Sequence, residues 1–186
     1  MLLKLISDIN KARENDCYFA ALALALTLPD ICGKAEYPTL KNGDRYKRWY
    51  DEHVGTYEKC SCEWCQKRPM PYLSGEIIYS LRNALLHQGT PGIDGCKIKD
   101  PVNQVDEFIL VLEKTNEFDI YSDASSVTYV CDGKEEQELK RTYRVNVQRL
   151  CFILARVAQG YYEAHQDKFD FFQFSIVDNT KIKADQ

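Results

Sequence analysis

Arg82, Asn83 and His87 fall within one decapeptide, SLRNALLHQG, Ser80 to Gly89, whose leucines otherwise read as the buried side of a helix. An imidazole titrates near neutral pH, so it can take or give the proton of a ribose 2′-hydroxyl. A guanidinium can hold a phosphate through paired N–H donors and stabilise the charge developing on it. An amide one turn from the imidazole can orient the ring or hold a phosphate oxygen. Together these groups suit phosphodiester chemistry on RNA, in a scheme that needs no metal or other cofactor. At about 100° per residue, Glu76, Ser80, Asn83 and His87 line up in one stripe, with Glu76 and Ser80 as its supporting polar groups. Ile77, Ile78, Leu81, Ala84 and Leu85 fill the other sides. Arg82 lies about 140° from His87 on an ideal helix, and its long side chain is expected to swing toward the stripe, most readily at a second chain's surface. The plain alternative is that the stripe is the wet side of an amphipathic helix. Short polar groups that can be half buried stand here where Lys and Glu usually stand.

A second group of residues has metal-ligand spacing. Cys60, Cys62 and Cys65 form C-x-C-x-x-C, which lets a loop wrap one Zn²⁺ with three thiolates at about 2.3 Å if a fourth ligand arrives from elsewhere. His53, Cys32 and Cys96 are the candidates for that ligand. Such a zinc would be structural, pinning the loop before the arginine helix; otherwise the three are ordinary thiols. Cys17, Cys32 and Cys151 lie in or beside apolar helix patterns and read as small core residues.

Lys41, Arg45, Lys47 and Arg48 crowd beside Tyr46, Trp49 and Tyr50. Cations among stacking rings are what single-stranded RNA uses, but a buried aromatic stripe with a solvated basic face has the same composition. Arg141, Arg144, Arg149 and Arg156 form a second basic run.

These groups need a scaffold, and 186 residues at 45% apolar can bury one. The net charge of −4 excludes a global basic field, so any nucleic-acid contact must be local. Charged residues from Lys4 onward break any secretory pattern, and the longest apolar run, Cys17 to Leu28, is about half the length that crosses a bilayer. A cytoplasmic chain with no membrane partner is expected. Periodicity predicts one long helix over 2–28 stopped by Pro29, a second over about 42–53, a third from Ser74 as N-cap to Gln88, and a fourth over about 147–166. A Cys-rich loop is expected at 59–71. Between the last two helices, at about 105–146, alternating runs and Asp132-Gly133 predict a three-stranded antiparallel meander. The tail 169–177 is apolar enough to dock as a strand or cover a partner. Residues 1–186 read as a single domain.

LRNALLHQG resembles the signature of the HEPN superfamily, in which an arginine and then a polar residue, often asparagine, precede a histidine by a few positions. The resemblance implies a mainly α fold, a four-helix HEPN-like bundle carrying the β-meander as an insertion. It implies Arg82 and His87 as a catalytic pair supported by Asn83. It further implies a toxin-antitoxin or defence ribonuclease acting on single-stranded RNA, as a homodimer in which two motifs form one groove, with an antitoxin or regulatory protein as a further partner. Arg48 and His53 repeat the spacing without the asparagine. Some HEPN-like domains only bind; the alternative is a non-catalytic interaction or regulatory domain, zinc-stabilised, in which Arg82 and Asn83 are structural hydrogen-bonders.

Overall fold

The computed structural model describes residues 1–59, 63, 67, 72–89, 98–105, 107–112, 121–131 and 134–172. The chain is mainly helical with a small sheet. Helix α1 (Leu2–Glu14) buries Leu2, Ile6 and Ile9, the 4, 3 spacing of a single apolar face. The expected long helix over 2–28 ends here instead. Asp16 takes a left-handed φ of 58°, which Asp tolerates better than most residues, and its carboxylate accepts from the Tyr18 hydroxyl. The chain restarts as α2 (Tyr18–Ala25) and again as α3 (Leu28–Glu36). Pro29 does not stop a helix; it stands in the first turn of α3, where its missing N–H has no intrahelical acceptor to lose. The segment Tyr18–Glu36 is long and apolar enough to cross a membrane by composition, but half of it is buried against the rest of the fold.

Helix α4 (Asn42–Tyr50) carries Tyr46, Trp49 and Tyr50 at i, i+3 and i+4, and all three are 0% exposed. It runs on through a wide π-turn, Asp51–Gly55, into one helical turn, Thr56–Glu58. Helix α5 (Gly75–Asn83) starts as expected at Ser74, whose hydroxyl accepts the Ile77 N–H at 3.4 Å. It widens into a second π-turn, Ala84–Gln88, that ends on Gly89 at a φ of 68°, a left-handed value that glycine adopts without strain. Helix α6 (Val147–Ala164) packs on α1, α2 and α3 through Leu150, Cys151, Leu154, Ala155 and Ala158.

Two glycines bring the neighbours of α4 close. A Cβ on Gly33 would lie 2.8 Å from the Arg45 carbonyl oxygen, and one on Gly75 would lie 2.4 Å from that of Lys47. Backbones therefore meet on both sides of α4, with α3 and α5 held against it. Asp51 strengthens the second contact, accepting the Gly75 N–H at 2.7 Å through Oδ1. Burial pushes the Asp51 carboxyl up, and the Gly75 bond partly opposes it.

Strands β1 (Glu107–Val111), β2 (Tyr121–Cys131) and β3 (Lys134–Asn146) form one sheet, but its order is β1-β3-β2. The β2–β3 hairpin is antiparallel as expected, with Cys131 opposite Lys134. The meander is corrected at β1, which runs parallel to β3, Phe108 opposite Tyr143 and Leu110 opposite Val145. Tyr143 and Val145 are buried just before the chain enters α6, and Leu110 packs against the same core. Core burial thus draws β1 to the root of β3. The Cys-rich loop, apart from Lys59, Glu63 and Lys67, falls outside the described residues, as does the tail after Phe172.

Asn146 joins sheet to helix: its Oδ1 accepts the Gln148 and Arg149 N–H groups at 3.0 and 3.4 Å. Asn146→Ala should cost about 1 kcal/mol as a lost N-cap, read as a lower urea midpoint. Asn146→Asp, which keeps the acceptor, should lose much less.

Candidate active site on the arginine helix

The π-turn at the end of α5 alters the geometry that an ideal helix predicts. A π-turn closes i→i+5 hydrogen bonds, so it inserts an extra residue and brings groups five apart toward the same side. Arg82 and His87 are five apart, and Arg82 Nη1 lies 3.2 Å from His87 Nε2 within one chain. A guanidinium has only donors, so a hydrogen bond between the two makes Nε2 the acceptor and assigns the ring proton to Nδ1. The same Nη1 donates to Asn83 Oδ1 at 3.0 Å. His87 is exposed, whereas Arg82 and Asn83 are half buried.

Two further residues enter from the neighbouring helices. Asp30, in the first turn of α3, accepts from Arg45 of α4 through one carboxylate oxygen, at 3.3 Å from Nε and 3.1 Å from Nη2. Its other oxygen stands 3.8 Å from Arg82 Nη2, an ion pair too long for a hydrogen bond. Arg82 Nε is buried and has no hydrogen-bond partner among the described residues. One carboxylate is therefore shared, unequally, by two guanidinium groups, and the cluster keeps a net positive charge. Tyr46 lies beside it, its ring 5.2 Å from that of Tyr79 and its hydroxyl donating to the Leu26 carbonyl at 3.0 Å. Burial holds that hydroxyl protonated, well above its ordinary range.

The expected polar stripe divides. Arg82, Asn83 and His87 converge, but Glu76 turns away, its Oε2 accepting the Lys99 and Asp100 N–H groups at 3.0 and 3.4 Å. Ser80 is half buried. The basic helix is largely committed to ion pairs: Lys47 with Asp44 at 3.6 Å, Arg48 with Glu52 at 2.9 Å and Arg45 with Asp30, while Lys41 is exposed. With Tyr46, Trp49 and Tyr50 fully buried, no ring of that stripe is open for a base to stack on. Asp30 was not legible as a site residue, because the sequence places it just past an expected helix stop at Pro29, and only the unforeseen α3 carries it to Arg82.

Of the zinc candidates, Cys60, Cys62, Cys65 and Cys96 lie outside the described residues. Cys32 is buried and burial pushes its thiol far up. His53 stacks on Trp49 with ring centroids 5.0 Å apart and meets the Tyr161 ring edge-on at 5.2 Å. Among the described residues no three or more His, Cys, Asp or Glu side chains come together as a group that could hold a metal ion.

Compared with protein-family models, curated proteins and solved structures, the chain matches none.

Burial also sets a pH dependence at His53, lowering its imidazole pKa despite the nearby Glu52 and Glu36 carboxylates. The folded state then binds fewer protons than the unfolded chain from the ordinary His value of about 6.5 downward. Stability is full above that value and is lost as the pH falls through the window. Urea midpoints should drop between about pH 7 and pH 5.5 in the wild type and drop less in His53→Phe. Equal slopes would remove His53 from the explanation.

Proposed function

We propose that this protein is a metal-independent endoribonuclease of the HEPN type that cleaves single-stranded RNA. The observation that carries the reading is the Arg82–His87 contact at 3.2 Å, at an exposed helix end. In the free protein Arg82 covers the Nε2 lone pair. A phosphodiester is a stronger partner for the guanidinium than a neutral imidazole, so substrate binding draws Arg82 onto the phosphate and uncovers His87. Nε2 then takes the proton of the 2′-hydroxyl. The 2′-oxygen attacks phosphorus, the new O2′–P bond forms, and the P–O5′ bond breaks. The departing 5′-oxygen regains a proton from the imidazolium, leaving 2′,3′-cyclic phosphate and 5′-hydroxyl ends. Arg82 stabilises the charge on the non-bridging oxygens, and Asn83 keeps Nη1 directed to the site while it waits.

The HEPN reading extends to a helical core around α4, α5 and α6, to pairing of two chains so that two motifs face one groove, and to a toxin or defence role in the cytoplasm. One observation favours a non-catalytic domain: Arg82 is half buried beside Asp30, as a structural arginine would be. Under that reading His87 has no task.

Purified protein incubated with single-stranded RNA in EDTA decides between them. Cleavage is expected, with cyclic phosphate at the new 3′ ends and no cutting of DNA of the same sequence. Intact RNA at high protein concentration would overturn the proposal.

A further inference from the structure

Arg45, read from the sequence as a nucleic-acid contact, has a different task in the fold. Its side chain is 13% exposed and is committed to one oxygen of Asp30 through two N–H donors. The second Asp30 oxygen faces Arg82 Nη2 at 3.8 Å, and the adjacent Arg82 Nε is buried without a partner among the described residues. Nε and Nη2 make up the edge of a guanidinium that binds a carboxylate or a phosphate in a two-pronged grip. That edge of Arg82 is under-used only because Asp30 is held elsewhere. A buried donor left without an acceptor is costly, so Asp30 released from Arg45 would move about an ångström and grip Arg82 itself.

We propose that Arg45 is a positioning residue that keeps Asp30 off Arg82, leaving the Arg82 guanidinium unclamped and able to turn its Nη groups to the phosphate of a substrate. This rests on the ribonuclease reading for its consequence in catalysis, though not for its geometry. Asp30 thereby acts as a competitor of the substrate phosphate, restrained by α4. Gly33, which lets α3 approach Arg45's own backbone, keeps the restraint short.

The competition makes a prediction that a direct RNA contact does not. Arg45→Met frees Asp30 to quench Arg82, so kcat/KM for RNA should fall about tenfold or more. Removing the competitor as well, in Arg45→Met/Asp30→Asn, should restore it to within about threefold of wild type. The double variant regains the unit of charge that Arg45→Met loses, so Asp44→Asn, which restores the same charge at an exposed site of α4, is the control and should not rescue Arg45→Met. If Arg45 touched RNA itself, removing an acidic neighbour would leave its loss in place, and failure of the second substitution to rescue would overturn the proposal.

An NMR readout separates this from the ribonuclease reading. The Arg82 Nε–H signal, identified by its absence in Arg82→Lys, should shift in Arg45→Met as it gains a carboxylate acceptor and return in the double variant. An unchanged signal in Arg45→Met overturns the positioning role whether or not the protein cuts RNA. A shifted and restored signal in a protein that never cuts RNA keeps the role and removes only the ribonuclease. Should Arg45→Met not fold, Arg45→Gln, which keeps one of the two donors to Asp30, should show a smaller shift in the same direction.

Discussion

His87→Ala is expected to lower RNA cleavage by about 10²–10⁴-fold, the range for loss of a general acid–base group, while leaving the fold intact. The side chain is exposed, and the Arg82 guanidinium is its hydrogen-bond partner in the site. Deleting it removes little packing, so the thermal midpoint should stay within a degree or two, about the effect of a neutral surface substitution. Arg82→Ala should cost at least about 10²-fold through lost charge stabilisation. It should also lower stability slightly, because it strands Asp30 with Arg45 alone. The two losses should not add, since Arg82 and His87 act on one phosphodiester as a unit. Both variants and the wild type should be indifferent to EDTA, because each step is assigned to a side chain. A His87→Ala protein that cuts as well as wild type would leave the Arg82–His87 contact as a mere helix terminus.

The largest effect on stability is expected at Gly75. An alanine Cβ there would sit 2.4 Å from the Lys47 carbonyl oxygen and 2.8 Å from the Lys47 Cα, both backbone atoms that cannot rotate away. Helix α5 would have to move off α4, at an overpacking cost of about 1–3 kcal/mol. The Gly75 N–H bond to Asp51 would be strained in the same movement. The urea midpoint should fall with little change in the slope of the transition. Because Arg82 is on α5 and its neighbours Asp30 and Arg45 are on α3 and α4, residual activity should fall further than stability alone explains. Gly160 offers the contrast: nothing lies within 4 Å of a Cβ there, so Gly160→Ala, near the C-terminal end of α6, should stabilise by about 0.5–1 kcal/mol. Equal responses at the two glycines would refute the close packing of α4 and α5.

Local signals in the sequence mapped well onto local structure. Ser74 as N-cap, Gly89 as the end of the arginine helix, the Tyr46–Trp49–Tyr50 stripe and the start of α6 each depend on neighbours a few positions apart, and each appears where periodicity puts it. Features that depend on competition between distant parts were not legible. Residues 2–28 have helical composition throughout, yet the left-handed Asp16 and the turn before Leu28 divide them into α1, α2 and the start of α3, all of which α6 covers. β1 has the alternation of a meander strand, but the buried pair Tyr143 and Val145 draws it to the far side of β3. Within the site, Arg82, Asn83 and His87 were visible as residue types, whereas their meeting within one chain depends on the π-turn, which no spacing rule for an α-helix contains. Asp30 and Arg45 join them through the Gly33 and Gly75 contacts, which appear only once α3, α4 and α5 are packed.

The most direct measurement compares two oligonucleotides, one all RNA and one carrying a single 2′-deoxy residue at the mapped cleavage position, cut by wild type and by His87→Ala in EDTA. Wild type is expected to cut the all-RNA strand to a 2′,3′-cyclic phosphate and to spare that position in the deoxy strand, and His87→Ala should cut neither. Equal cleavage of both strands by wild type, or cleavage that survives His87→Ala, would contradict a reaction in which His87 takes the 2′-hydroxyl proton while Arg82 holds the phosphate.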